Sequence, residues 1–196
     1  MRIVFNYLIV IILIFIISGC GSSVYVPTTS TTQLDDKYSD TDLRVMAQNM
    51  YQSIMDRLTV IRGDNKKAPV IAFLRISNKT SEYIDTDAIA DKLQIQLIKA
   101  GSLRFVDRGR IKDITSQFDL GASGIMNPET MKKAGKVIGN DYFLIGDLSS
   151  IAKQDRSTSL TYYRLSMRLI DAETDEIIWA DESEVKKQKN KNLFDW

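Results

Sequence analysis

Cys20 is the only thiol in this 196-residue chain, and no histidine accompanies it. Ser-His-Asp and Cys-His nucleophilic sites, imidazole zinc sites and the usual general base are therefore excluded. A single cysteine allows no intramolecular disulfide, no thiolate zinc cluster and no CxxC redox pair. What remains for acid–base work is carboxylate: Asp107 at a strand end, and Asp141 and Asp147 near another strand. Each reads as a cap or turn residue, because no motif places a second catalytic carboxylate beside it. Gly135-Lys136 lacks the upstream glycine and the following hydroxyl residue of a P-loop, and no GxGxxG follows a strand. Gly121 and Gly124 read as a plain loop, as does Asn78-Lys79-Thr80 despite its glycosylation-like pattern. No catalytic residue, metal site or cofactor is indicated. The formal net charge of +1 lacks the basic excess that phosphate affinity needs, which argues against a nucleic-acid partner.

The thiol itself has a different chemistry. Met1-Arg2 is followed by an apolar run from Ile3 to Ile17, interrupted only by Asn6, and then by Ser18-Gly19-Cys20. One positive charge before about fifteen apolar residues has the form of a secretory signal, short for a membrane-spanning helix. Ile17-Ser18-Gly19-Cys20 is similar to a bacterial lipobox, in which small residues admit the processing peptidase and the thiol takes a diacylglycerol. Residues 1–19 are thus expected to be a lipoprotein signal peptide. Cys20 is expected to be lipidated, carrying acyl chains such as palmitate that give stable membrane attachment. Gly21 follows where aspartate would signal inner-membrane retention, so the expected location is the outer membrane, lipid-anchored, on its periplasmic face.

Residues 20–38 read as the acylated cysteine and a flexible tether. Seven of the seventeen residues from Gly21 to Lys37 are Ser or Thr, and Pro27 is the one proline. Such a segment buries too little apolar area to offset its ordering entropy, and stretches to at most ~60 Å.

The elements that must follow form a globular domain over 39–188. Ser39-Asp40-Thr41 are good N-cap residues, and Leu43, Ala47, Met50, Ile54 and Leu58 then recur at helical spacing. Val70 to Leu74 is an apolar run fitting a central strand buried on both faces, with a polar loop from Ser77 to Ser81. A helix over about Asp85–Lys99 turns Ile89, Leu93 and Leu97 inward and stops at Gly101. A short strand over Leu103–Val106, a helix over Arg110–Phe118 and another opening at Asn127-Pro128-Glu129 follow. The last third changes to period two: Tyr142–Ile151, a polar loop at Lys153–Ser159, Leu160–Ile170, a turn at Glu173–Glu176, and a strand from Ile177 to about Val185. Lys186 to Lys191 reads as a solvated basic run, and 189–196 as a C-terminal tail. The fold class is α/β of the α+β kind, a mixed sheet of about four to five strands with about four flanking helices.

One strand face carries recognition chemistry. Tyr163, Leu165, Met167 and Leu169 alternate with Tyr162, Arg164, Ser166 and Arg168. An aromatic ring beside guanidinium groups is the composition enriched at protein interfaces. Tyr162, Arg164 and Arg168 are candidate protein-binding residues, unless helices cover that face or acidic neighbours pair the arginines.

Several stretches together resemble the LpoB family of lipoproteins: Val70-Ile71-Ala72-Phe73-Leu74 with Ser77-Asn78-Lys79-Thr80, Leu103-Arg104-Phe105-Val106-Asp107, Gly139 to Gly146, and Leu165 to Trp179. The resemblance runs from about Ala68 to Lys187, and the lipobox adds to it. It implies an outer-membrane lipoprotein that binds and allosterically activates a class A penicillin-binding protein, a bifunctional synthase, in peptidoglycan synthesis and so in cell-wall growth and cell shape. It implies docking on a small non-catalytic domain of that synthase, no turnover of substrate, and a sheet with flanking helices. Asn78 and Thr80, in the loop at Ser77–Ile84, are further candidate protein-binding residues on chemical grounds, and a monomer is expected. The rival readings are a CsgG-like secretion-associated lipoprotein or a general envelope scaffold, and a carboxylate enzyme acting on glycan. The channel reading needs lipid-facing hairpins, for which the polar segment Ser149–Thr161 is too short and too charged.

Overall fold

The computed structural model describes residues 26–27, 36–62, 67–117, 128–155 and 157–190. Residues 1–31 and 32–196 are separate compact units, and the elements below all lie in the second. Cys20 and the Gly121–Gly124 loop fall outside the described residues. In chain order the elements are α1 (Asp40–Asp56), α2 (Leu58–Arg62), β1 (Val70–Asn78), α3 (Thr86–Lys99), β2 (Arg104–Phe105), α4 (Arg108–Gln117), α5 (Pro128–Ile138), β3 (Tyr142–Gln154), β4 (Thr158–Asp171) and β5 (Ile177–Asn190). The five strands form one sheet in the order β2-β1-β3-β4-β5. β1 runs parallel to β2 and β3, while β3, β4 and β5 form an antiparallel meander. This is the α+β fold with a mixed sheet that the sequence pattern suggests.

Local chemistry sets the boundaries. Ser39 caps α1 in a capping box: its hydroxyl accepts from the Asp42 N–H, and the Asp42 carboxylate accepts from the Ser39 N–H at 2.8 Å. Asp85 caps α3 by accepting from the N–H groups of Asp87 and Ala88. α5 opens on Pro128, whose fixed φ suits a first helical turn, and stops at Gly139 with φ +76°. β1 is buried on both faces, as its unbroken apolar run requires. Ile71 and Phe73 join the core under α1 and α3, while Ala72 joins a smaller core with Ile111, Met131, Ala134 and Phe143 under α4 and α5. A register shift between Phe73 and Arg75 then lets Ile76, not Arg75, return to the first core.

The two helical layers are unequal. α1, α2 and α3 cover one face, here called inner, and bury Tyr163, Leu165, Met167, Leu169 and Trp179 from β4 and β5. α4 and α5 cover only the β1 side of the outer face, reaching Phe143 on β3 and Ile170 and Ala172 at the end of β4.

Two expectations fail at the edges of the domain. From Lys186 to Asn190 the basic run Lys186–Lys191 is not a solvated tail: β5 continues to Asn190, which pairs with Thr158, and Lys191 lies outside the described residues. Lys187 is only 2% exposed, and its Nζ donates to Asp42 Oδ2 at 2.9 Å and also to the Lys37 carbonyl. Alternation in β5 puts Trp179, Ser183 and Lys187 on the inner face, where α1 meets them with Ser53, Asn49 and Asp42. The chain also becomes structured before Ser39. The Asp36 carboxylate accepts from the hydroxyls of Ser159 and Thr161, and Tyr38 N–H donates to Glu82 Oε2 at 3.4 Å. The Tyr38 ring meets Tyr163 edge-on with centroids 5.7 Å apart. Asp36 to Tyr38 therefore belong to the domain rather than to the tether. Burial pushes the phenols of Tyr38 and Tyr163 well above the usual tyrosine range, and for Tyr163 the hydrogen bond to Glu82 adds to it.

Lys187→Ala strands the Asp42 carboxylate in the core and is expected to lower unfolding free energy by about 3 kcal/mol. Urea unfolding followed by tryptophan fluorescence reads it. The Asp42→Leu/Lys187→Met pair is expected to recover most of that loss, short of about 1 kcal/mol for the missing cap.

Candidate protein-binding surface

Beyond Phe143 and Ile170, which α5 reaches, the outer face of β3, β4 and β5 carries no helix among the described residues. Cross-strand register shows what shares it. Tyr162 lies between Ile151 and Lys186, Arg164 between Ser149 and Glu184, Ser166 between Asp147 and Glu182, and Arg168 between Ile145 and Ala180. The three residues singled out on β4 are thus together on an open surface. Arg164 and Arg168 each keep 48% of the side chain exposed.

Acidic neighbours do approach them. Tyr162 OH donates to Glu184, which raises its pKa above the usual tyrosine value. Arg164 Nη1 stands 3.8 Å from Glu182 Oε2, and Arg168 Nη2 stands 3.8 Å from Asp147 Oδ2. Asp147 is held more firmly by Lys79, whose Nζ lies 2.9 Å from Oδ1. Pairs at 3.8 Å and half in water contribute between 0 and about 1 kcal/mol, so the guanidinium groups are oriented but not consumed. Between Arg168 and the start of β5 the face dips into a shallow cavity of about 390 Å³, lined by Asp147, Ser166, Arg168, Ile177 and Glu182 among others. Ile177 and Ile151 are each 59% exposed, one at the cavity and one beside Tyr162. The surface is therefore amphipathic: apolar groups near both ends, alternating charge between. Ile151, Glu182 and Ile177 were not picked out by sequence reasoning, and Asp147 only as a candidate carboxylate, because membership of this surface depends on strand register; once β3, β4 and β5 are aligned, alternation alone places Ile151, Asp147 and Glu182.

Asn78 and Thr80 lie elsewhere. Asn78 Oδ1 accepts from the Thr80 N–H and hydroxyl at 2.9 and 2.8 Å, and Asn78 Nδ2 donates to the Glu82 carbonyl at 2.8 Å. They shape the β1–α3 loop and do not join the Tyr162 face. The candidate carboxylates are likewise accounted for. Asp107 accepts from the Arg110 N–H in the first turn of α4, Asp141 accepts from the Val70 N–H, and Asp147 is ion-paired. Among the described residues no group of three or more metal-ligating side chains occurs, and no helix is long and apolar enough to cross a membrane. Backing charge with an amphipathic face, the arrangement is suited to holding another protein.

The sequence profile of the peptidoglycan-synthase activator LpoB matches residues 42–185. The chain belongs to this family. The match spans α1 through most of β5, so the α1 helix is part of the family's domain, beyond the stretch the sequence motifs mark. Solved structures agree on the fold. The LpoB C-terminal domain from Salmonella enterica is similar at TM-score 0.53 and 17% identity, covering 74% of this chain and 98% of that one. The corresponding domain from Escherichia coli gives 0.53 and 18%, with the same coverage. The NMR structure of E. coli LpoB gives 0.51 and 17%, covering 88% of this chain and 85% of that one. No curated protein matches by sequence.

Because their ion pairs are long and wet, Arg164→Gln and Arg168→Gln are each expected to change unfolding free energy by no more than about 0.5 kcal/mol. Urea titration of the two variants checks this, and a larger loss would make the arginines structural.

Proposed function

We propose that this chain is an outer-membrane-anchored periplasmic lipoprotein that docks on a class A penicillin-binding protein and activates it. The observation that carries the reading is the match of residues 42–185 to a family of peptidoglycan-synthase activators. The open face at Tyr162, Arg164 and Arg168 supports it as the docking surface, since the residue types fit an interface and no element among the described residues covers them. Cys20 is the lipidation site, and the anchor holds the domain near the membrane through the residues between Cys20 and Asp36. The protein acts by binding, with no active site of its own and no cofactor, as a monomer.

Activation follows from preferential binding. A ligand shifts a two-state partner only by the difference in its affinity for the two states. Moving a synthase from one-tenth to nine-tenths active takes about an 80-fold preference, ~2.6 kcal/mol, which a handful of interfacial contacts supplies.

Full-length protein in detergent, titrated into purified class A synthases of the same organism, is expected to bind saturably and to raise the rate of glycan polymerisation. Binding without acceleration would leave a scaffold, and no binding to any of them would sink the reading.

A further inference from the structure

Tyr83 is 100% exposed, the only residue among the described large hydrophobics with no burial at all. An aromatic ring that touches nothing in its own fold is not there for packing. Yet the loop beneath it is closed by a set of hydrogen bonds. Asn78 and Thr80 close its first half through the hydrogen bonds described above, and the Glu82 N–H donates to Thr80 Oγ1 at 3.1 Å. The Lys79 N–H donates to the Leu148 carbonyl at 2.7 Å, and Thr86 Oγ1 donates to the Ile76 carbonyl at 2.7 Å. On either side of Tyr83, the Glu82 carboxylate is pinned by Tyr163 OH and Tyr38 N–H, and Ile84 is buried. Both neighbours face inward, so the Tyr83 side chain leaves the loop outward.

The same loop is joined to the open sheet face. Lys79 pairs with Asp147, and Asp147 stands beside Arg168. That face alone is small. Three strands at ~4.8 Å spacing and ~3.4 Å per residue, over the stretch from Thr158 to Arg168, offer roughly 540 Å². A stable protein interface takes about 800 Å² from each partner. A globular partner seated on the face must extend past it, and the Tyr83 loop is the neighbouring element tied to it through Lys79 and Asp147.

We infer that Tyr83 is an anchor residue for the synthase, a rigidly presented aromatic that inserts into a complementary pocket on the partner while the β3–β5 face supplies the flanking polar contacts. This rests on the docking reading above and adds a residue to it. Tyrosine suits the role, having large contact area and only two side-chain torsions to fix, and aromatic anchors carry much of the energy of protein interfaces. Asn78 and Thr80 then act as positioning residues: they hold the loop that presents the ring.

The test is calorimetric titration of the class A synthase with full-length protein in detergent. The wild type, Tyr83→Ala, Tyr83→Phe and Asn78→Ala are compared, with unfolding curves run on each. Tyr83→Ala is expected to weaken binding about 30-fold with unchanged stability, and Tyr83→Phe to stay within about 3-fold of the wild type. Asn78→Ala is expected to weaken binding with the ring still present. Wild-type binding with Tyr83→Ala equally tight would overturn the anchor while leaving the docking reading intact. Absence of wild-type binding to any synthase would overturn both.

Discussion

A seam of polar contacts between α1 and β5 governs the rest of the structure. Asp42, Asn49 and Ser53 descend one side of α1 and meet Lys187, Ser183 and Trp179 along β5. Two of these meetings are ordinary hydrogen bonds. The third is a buried ion pair in which the Asp42 carboxylate also receives the Ser39 N–H and hydroxyl of the helix cap. Burying two charges costs more than an apolar pair would, and the compensation is the convergence of three donors, Lys187 Nζ and the Ser39 N–H and hydroxyl, on Asp42 Oδ2. What the seam supplies is register. An apolar helix face can slide on an apolar sheet face, whereas a charge in the core has one partner it can reach. With α1 fixed at β5, the core of the inner face from β1 to β5 is covered, and Lys187 draws the Lys37 carbonyl down beside it.

The consequence appears on the opposite face. Among the described residues two short helices cross it, α4 against β1 and α5 against Phe143 and Ala172 at one end of β3 and β4, where Gly135 lets α5 come close: a Cβ there would stand 3.1 Å from the Ala172 Cβ. Beyond that, β3, β4 and β5 turn mostly polar residues outward, with no second layer over them among the described residues. A domain whose stability is settled on one face can present the other to a partner, because side chains there are exchanged at little cost to folding. The weak pairs of Arg164 and Arg168 have that character, and so does the fully solvated ring of Tyr83, which lies off the sheet on a loop braced from within.

Much of this was legible in the sequence, and the boundary of legibility is physical. Period-two alternation in β4 assigns Tyr163 and Tyr162 to opposite faces without error, since a strand has only two. The apolar run Val70–Leu74, and the 3.6 spacing of Ile89, Leu93 and Leu97, are likewise local signals of burial. Lys187 was not legible: in a run of lysines nothing local marks one as buried, and its partner lies 145 residues earlier. Asp36 to Tyr38 failed for the same reason, their partners being on β4 and in the β1–α3 loop. Asn78 and Thr80 drew notice for their chemistry, but whether such residues meet a partner or shape a loop depends on hydrogen bonds that spacing does not encode. Tyr83, between an inward glutamate and a buried isoleucine, is distinguished only by exposure.

The proposed docking through the open sheet face is most directly tested by photo-crosslinking in a mixture with the class A synthase. A benzophenone side chain installed at Ser166, the centre of that face, should capture the class A synthase. The same group at Ile95, 52% exposed on the helical layer of the inner side, should not. Capture from position 95 with none from position 166 would contradict the assignment and place the partner on the α1–α3 layer.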